Sequence, residues 1–174
     1  MDLGFGMFIH WSMDSQVGAV ISHSMVGADD VYLQKFIHEL PKTFNPKKFD
    51  PDEWAVLAKL AGMKYVVFTT KHHSGFCMWD TKTTAFNVMN TAYGRDVTRE
   101  IFDAFRKHDI AIGVYFSPDD LHYFYENNLP VTRAQNPPKT PIGDKGMMDL
   151  NKIQLKELLT NYGKIDMIFF DGYP

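Results

Sequence analysis

The apolar run from Tyr65 to Thr70, YVVFTT, constrains the fold of this chain more than any other stretch. Its residues are β-branched or aromatic and show no alternation of polar and apolar side chains, which is typical of a strand buried on both faces. Such strands occur in parallel sheets, whose neighbouring strands are joined by crossover connections that usually contain a helix. The run therefore predicts an α/β fold.

Other parts of the chain extend this pattern. Three further apolar runs predict strands, at residues 5–11, 110–117 and 165–170. Helical apolar patterns lie between the strands, over residues 50–62, 96–107 and about 149–162. Asp96 is expected to cap the second helix, and the third is expected to turn inward Leu150, Ile153, Leu158 and Leu159. The first helix has the clearest start signal, because Asp50 can cap it, Pro51 suits its first position and Glu53 lies three residues after the cap. Residues 126–148 are rich in proline and glycine and predict a mobile or draped loop.

Alternating strands and helices build either an open doubly wound sheet or a (β/α)8 barrel. A dinucleotide-binding doubly wound fold carries a G-x-G-x-x-G turn after its first strand, whereas SMDSQVG follows Trp11 here. We therefore expect the TIM-barrel type. A complete barrel needs about 200 to 250 residues. Because four strands occupy these 174 residues, we expect one partial barrel domain over residues 1–174 with about the first four βα units.

Composition narrows the choice of partner. The formal net charge of −3 gives no basic surface, so neither a nucleic acid nor an anionic membrane is expected to bind. No stretch reaches the roughly 18 apolar residues of a membrane span, and the first residues lack the pattern of a signal peptide. The single cysteine, Cys77, excludes a disulfide within the chain and a cysteine-cluster metal site. A small molecule or a glycan is the expected partner.

Each predicted strand ends on side chains that can carry chemistry. His10 lies at the end of the first strand, His72 and His73 follow the second, Tyr115 lies near the end of the third and Asp171 follows the fourth. Ligands of α/β folds collect at the carboxyl ends of strands, so these residues are candidates for a common site. For the histidine pair, the alternative is that it merely ends a strand.

The chemistry of these residues suits a sugar. A neutral imidazole offers one donor and one acceptor, so His10, His72 and His73 can hydrogen-bond to sugar hydroxyls. Trp11 and Trp79 could supply apolar faces for the C–H side of a sugar ring. No metal and no cofactor is expected at the site.

Four segments together resemble the catalytic barrel of the α-L-fucosidases, glycoside hydrolase family 29. They are residues 5–11 (FGMFIHW), 44–91 (the block that contains KYVVFTTKHHSGFCMWD), 113–117 (GVYFS) and 154–172 (QLKELLTNYGKIDMIFFDG). The resemblance covers almost the whole chain. It implies a retaining exo-glycosidase acting on terminal α-L-fucosyl or related residues of glycans.

The resemblance also implies roles for individual positions. The family's W-F-D-G motif carries the nucleophilic aspartate, which corresponds to Asp171. Its residues that line the fucose pocket correspond to His10, Trp11, His72, His73 and Tyr115. This sequence departs from the family at Phe169, where the family has tryptophan, at Ser74, where it has aspartate, and at residues 22–24, which replace a Glu-Trp-Tyr stretch.

Retaining hydrolysis uses two carboxyl groups about 5 to 5.5 Å apart, one as nucleophile and one as general acid/base. Asp171 suits the first role, because it directly follows a buried strand and Gly172 lets the backbone approach a substrate closely. A structural alternative is that it caps a following helix. Asp119 and Asp120 are candidates for the second carboxyl group, although they also suit a turn. The resemblance instead implies a glutamate well beyond the nucleophile, after Pro174.

Two other functions remain open from the residues alone. A metal-dependent barrel hydrolase could use His10, His72, His73 and Asp171 as ligands. Against this, adjacent His72 and His73 should point to opposite sides of an extended strand, and the first strand lacks an H-x-H pair. The other alternative is a non-catalytic glycan-binding half-barrel. In either case the unpaired edges of a four-stranded half-barrel predict self-association into a homo-oligomer.

Overall fold

The computed structural model describes residues 3–132 and 144–172. It is an α/β fold with one sheet, whose strands are β1 (Gly6–Ile9), β2 (Tyr65–Lys71), β3 (Ala111–Phe116) and β4 (Met167–Phe170). All three strand pairs are parallel, and the order in the sheet is β1-β2-β3-β4. A doubly wound sheet reverses its strand order at a switch point, whereas a barrel adds strands consecutively. The order is therefore that of the first four strands of a TIM barrel, as predicted.

Helices fill the connections between the strands. They are α1 (Asp30–His38), α2 (Leu40–Thr43), α3 (Pro51–Leu60), α4 (Val97–Arg106), α5 (Leu121–Glu126) and α6 (Lys145–Asn161). The connection from β1 to α3 holds α1, α2 and a 3-10 turn at Met13–Val17. The connection from β3 to β4 holds both α5 and α6. Within the described part of the chain, no helix has the length and apolar character that a membrane span requires.

The start signals of α3 and α4 are confirmed. The Asp50 carboxylate accepts a hydrogen bond from the Glu53 N–H at 3.0 Å, and Pro51 occupies the first turn. Asp96 caps α4 in the same way, through the Arg99 N–H at 2.9 Å. These side chains satisfy N–H groups that have no partner inside a helix.

α6 differs from the sequence prediction in its start and in its buried face. It begins at Lys145 because Asp144 accepts from the Met147 N–H and caps it, within a stretch that the proline and glycine content marked as loop. The buried position in its middle belongs to Gln154, whereas the apolar Ile153 is 53% exposed. The predicted loop at 126–148 includes residues 133–143, which lie outside the described residues.

The two faces of the sheet have different neighbours. One face packs against the helices and carries most of the core, for example Phe68 and Val114 with Phe102 of α4. The opposite face carries an aromatic group in which the ring centroids of Phe8 and Phe169 lie 5.2 Å apart. This second face leads directly to the carboxyl ends of the strands.

Candidate active site

Asp171 lies at the centre of the candidate site, immediately after β4. Its backbone N–H donates to the Phe116 carbonyl at 3.2 Å, which extends the β3–β4 ladder by one residue. Its side chain is 39% exposed, so solvent or a ligand can reach the carboxylate. Gly172 follows with a φ of 134°, a conformation that favours glycine. The turn therefore presents the carboxylate at the open end of the sheet.

A chain of hydrogen bonds leads from His72 through Tyr115 to Asp171. The His73 backbone N–H donates to His72 Nδ1 at 2.8 Å, so the neutral imidazole of His72 carries its proton on Nε2. That nitrogen lies 2.7 Å from the Tyr115 hydroxyl oxygen. The Tyr115 hydroxyl in turn donates to Asp171 Oδ2. The arrangement stabilises the negative charge on Asp171, because a hydrogen bond to a carboxylate favours its charged form.

His73 faces the same carboxylate from another direction. Its Nε2 lies 3.5 Å from Asp171 Oδ2. Its Nδ1 lies 2.6 Å from the Ser117 hydroxyl, which donates to the Asp119 carbonyl at 3.0 Å. The Ser117 oxygen can therefore accept the Nδ1 proton of His73 and hold the ring in place.

His10 lies beside this cluster, as predicted from its place at the end of the first strand. Its ring centroid is 5.2 Å from that of Tyr115 and 5.7 Å from that of His72. Partial burial lowers its pKa, and the negative charge of Asp171 opposes that shift. His10, His72, His73, Tyr115 and Asp171 thus form one group of side chains, drawn from all four strand ends.

The prediction that adjacent His72 and His73 cannot share a side was wrong. β2 ends at Lys71 after an irregularity in its register with β3, so the pair lies beyond the regular strand. A turn follows, in which the Gly75 N–H donates to the His72 carbonyl at 3.0 Å. Both rings can therefore face Asp171. The ligand atoms of His72, His73 and Asp171 lie within 4.8 Å of one another, so the set is also able to hold a metal ion.

The two tryptophans do not join this group. Trp11 is half-buried and packs against Phe49 and Trp54, with ring centroids at 5.0 Å and 5.7 Å. Trp79 is fully buried, and its indole N–H donates to Glu157 of α6 at 3.0 Å. Complete burial in the core is inconsistent with the predicted contact between Trp79 and a sugar ring.

The neighbouring acids separate into two roles. Asp120 is 2% exposed and caps α5 by accepting from the Tyr123 N–H at 2.8 Å, so the turn alternative is correct for this residue. The Asp119 carboxylate lies next to the turn after Asp171, with one oxygen 3.5 Å from the position that a Cβ on Gly172 would take. Ser117 joins the site without having been among the predicted site residues. Its place one residue after β3 was the signal that could have identified it.

Comparisons with known proteins agree with this geometry. A family model described as Alpha-L-fucosidase matches residues 1–173. An α-L-fucosidase isoenzyme from Paenibacillus thiaminolyticus is 40% identical with a TM-score of 0.78 over 98% of this chain. A GH29 α-L-fucosidase from Bacteroides thetaiotaomicron, solved as a trapped covalent intermediate, is 31% identical with a TM-score of 0.75 over 98%. The tissue α-L-fucosidase of Macaca fascicularis is 34% identical over 185 residues, which cover 97% of this chain.

The relatives are longer than this sequence. The chain spans 41% of the Paenibacillus protein, 40% of the Bacteroides protein and 37% of the macaque protein.

Proposed function

This chain belongs to the α-L-fucosidase family, and from that premise we propose that it carries the nucleophile and part of the sugar pocket of a retaining exo-glycosidase. The proposed substrate is a glycan with a terminal α-L-fucosyl or closely related residue. The observation that carries the proposal is the environment of Asp171, whose carboxylate accepts from the Tyr115 hydroxyl and faces His73 Nε2 at 3.5 Å.

In the proposed mechanism Asp171 attacks the anomeric carbon and forms a glycosyl-enzyme intermediate, which water then hydrolyses. The nucleophile must be ionised, and the Tyr115 hydroxyl supports this by donating to it. The solved Bacteroides relative is described as a trapped covalent intermediate with 2-fluoro-fucosyl fluoride. That description is what a double displacement in this family leads us to expect.

The remaining groups suit recognition of sugar hydroxyls. Partial burial lowers the pKa of His10, which favours the neutral ring with one donor and one acceptor. The His72 proton lies on Nε2, and His73 presents its Nε2 towards the site. We propose that His10, His73 and Tyr115 bind hydroxyl groups of the sugar. Both ring nitrogens of His72 are engaged, by the His73 N–H and the Tyr115 hydroxyl, so His72 acts through Tyr115.

The general acid/base is the group that the proposal places outside the described residues. Asp120 is committed to the α5 cap and to Lys71, so it does not serve this role. The family resemblance implies a glutamate well beyond the nucleophile.

Aryl α-L-fucosides with leaving groups of different acidity test the proposal. A highly acidic phenol needs little protonation, so attack by Asp171 alone should displace it from the anomeric carbon, and the released phenol should appear as a burst followed by slower turnover. A poor leaving group should be released more slowly, because its departure depends on the acid. The matched Asp171→Asn variant should show no burst with either substrate.

The competing function is a glycan-binding module without catalysis. It would bind L-fucose, as seen by ligand-observed NMR, with no burst from the activated substrate at any enzyme concentration. That outcome would replace the proposed hydrolase with a binder.

A further inference from the structure

Lys71 is a fully buried cation directly before the two site histidines. Its Nζ lies 3.4 Å from Asp120 Oδ2 and donates to Asn151 and Gln154 at 2.9 Å each. The same nitrogen lies 4.3 Å from the ring centroid of Phe116. Lys71 therefore connects the end of β2 to α5 and α6 through one network.

Asp120 connects this network to the backbone of the site. Its Oδ1 caps α5 through the Tyr123 N–H, which leaves Oδ2 to face Lys71. The first N–H of α5, from Leu121, donates to the His73 carbonyl at 2.8 Å. The first turn of α5 thus binds both the Asp120 side chain and the His73 carbonyl, and so keeps them close together.

The turn after the histidines fits closely against Asp120. The His122 N–H donates to the Ser74 carbonyl at 3.2 Å. A Cβ on Gly75 would lie 2.8 Å from Asp120 Cγ, closer than side-chain atoms approach one another, and the φ of Gly75 is +85°. The first turn of α5 therefore holds residues 73–75 in place.

We propose that the Lys71–Asp120 ion pair is a positioning device for catalysis, which turns His72 and His73 out of β2 so that both rings face Asp171. The inference rests on the proposed function. Neither Lys71 nor Asp120 touches the reacting atoms, so their effect passes through the two imidazoles. An error of about 1 Å in such a group can cost about 100-fold in rate.

A buried ion pair can also serve stability alone, and the experiment must separate these roles. Removing one partner leaves the other charge buried and unpaired, which is strongly destabilising. Removing both charges leaves no unpaired charge in the interior, so the free energy of unfolding should recover. The rate should stay low in the double variant, because the contact between positions 71 and 120, which ties the end of β2 to the start of α5, has still been lost.

The test compares Lys71→Met, Asp120→Asn and the double variant with the wild-type protein. Asn at position 120 keeps an oxygen for the α5 cap. Lys107→Met is the matched control, because it breaks an exposed Lys107–Asp52 pair of 2.9 Å away from the site. Stability is measured by urea denaturation, and burst rate and KM with an activated aryl α-L-fucoside under conditions where every variant is folded.

Under the inference, both single variants lose stability and at least about 10-fold in burst rate with a smaller change in KM. The double variant regains stability and remains slow, and Lys107→Met resembles wild type in both measurements. A rate that recovers together with stability, or a native rate in any folded variant at 71 or 120, would overturn it.

A second readout separates this inference from the proposed function. Histidine ring NMR signals report the His72 and His73 environments without any turnover. In the Lys71→Met variant these signals should move, while the His108 signal stays in place. Unmoved site signals would overturn the positioning role, whereas moved signals in a chain with no turnover would support it and reject only the hydrolase proposal.

Discussion

Asp171 combines exposure with a fixed environment. Its carboxylate is 39% exposed, yet the Tyr115 hydroxyl and the imidazoles of His72 and His73 lie around one of its oxygens. A nucleophile needs access to the substrate and an environment that stabilises its negative charge. The Tyr115 hydroxyl meets the second need by donating to the carboxylate.

Asp171→Ala should lower turnover by at least about 100-fold, a barrier increase of roughly 2.7 kcal/mol. The variant lacks the carboxylate that is proposed to form the intermediate. Azide can occupy the vacated space and should partly restore activity, with a product of opposite anomeric configuration because one displacement replaces two. NMR of the product measures this. Near-native turnover of the variant in a protein that carries the acid/base, or inversion by the native enzyme, would contradict the assignment.

The ligand-like arrangement of His72, His73 and Asp171 gives a prediction about metals. We expect activity without a metal ion, because His72 Nε2 carries a proton and lies 2.7 Å from the Tyr115 hydroxyl, and Asp171 Oδ2 accepts from that hydroxyl, so both atoms are already used in hydrogen bonds. Dialysis against a chelator should leave turnover unchanged. About one tightly held zinc per chain by elemental analysis, lost together with activity, would reverse the conclusion.

Asp14 is a second carboxyl group of unusual environment, in the 3-10 turn after β1. It is 1% exposed and lies beside the hydroxyls of Ser12 and Ser24. Burial raises its pKa, and the nearby Ser24 and Ser12 hydroxyls oppose the shift. The folded state therefore binds the Asp14 proton more tightly than the unfolded state does.

Because the pKa of Asp14 is higher in the folded state, protonated Asp14 contributes fully to stability at a pH below its unfolded-state pKa of about 3.9. That contribution is lost as the pH rises through the folded-state pKa. The Asp14→Asn variant carries no charge at position 14 at any pH, so its free energy of unfolding should exceed that of the wild type by an amount that grows as the pH rises. We expect this difference in the free energy of unfolding to be about 1 to 3 kcal/mol near pH 7. Urea denaturation at several pH values measures it. The exposed Asp103→Asn is the control. An advantage that shrinks towards high pH would show that Asp14 is paired.

At the scale of elements, the end of β2 decides the geometry of the site. The strand stops at Lys71, and the next four residues turn against the start of α5. Gly75 makes this possible, because its φ of +85° favours glycine and Asp120 fills the space that a Cβ would need. The element boundary is thus as important as the histidines that follow it.

Gly75→Ala should lose more stability than Gly62→Ala. Both glycines have positive φ, +85° and +78°, but a Cβ at Gly62 meets no atom within 4 Å. The two variants share the backbone strain, so their difference isolates the contact with Asp120. We expect this difference in the free energy of unfolding to be about 1 to 3 kcal/mol, measured by denaturant unfolding. Equal losses would mean that the turn moves away from α5 without cost.

The sequence predicted the strands and the caps of α3 and α4, because these features depend on neighbouring residues. It also predicted which strand ends meet, because consecutive parallel strands share one edge. It failed where distant residues decide the outcome. Gln154 is buried because Lys71 lies opposite it, and Trp79 is buried because α6 covers it. Neither partner can be identified from local sequence.

At the scale of the molecule, the sheet has two edges within the described residues, β1 and β4, and one incompletely covered face. Phe8 is 44% exposed and Phe169 is 46% exposed. In a closed barrel, further strands pair with both edges and side chains fill the interior. Unpaired edges beside apolar side chains favour association with another chain.

The chain by itself should therefore self-associate, as judged by sedimentation velocity over a range of concentrations. Ile168→Lys places a charge on β4 and should shift the distribution towards monomer, because lysine on an edge strand opposes pairing. Leu60→Lys is the control, since Leu60 is a 78% exposed residue of α3 and belongs to neither edge strand. A compact monomer that melts cooperatively would contradict this expectation.

The strands lie in the sheet in the same order as they occur in the chain, and this affects how the protein can fold during synthesis. A ribosome releases β1 first and β4 last, and each new strand meets a free edge formed by the strand before it. No strand has to be inserted between two others that are already paired. His10, the histidine pair and Tyr115 can thus be in place before Asp171 is synthesised. Asp171, the proposed nucleophile, is the last member of the group to be synthesised, so the group is complete only once the fourth strand has left the exit tunnel.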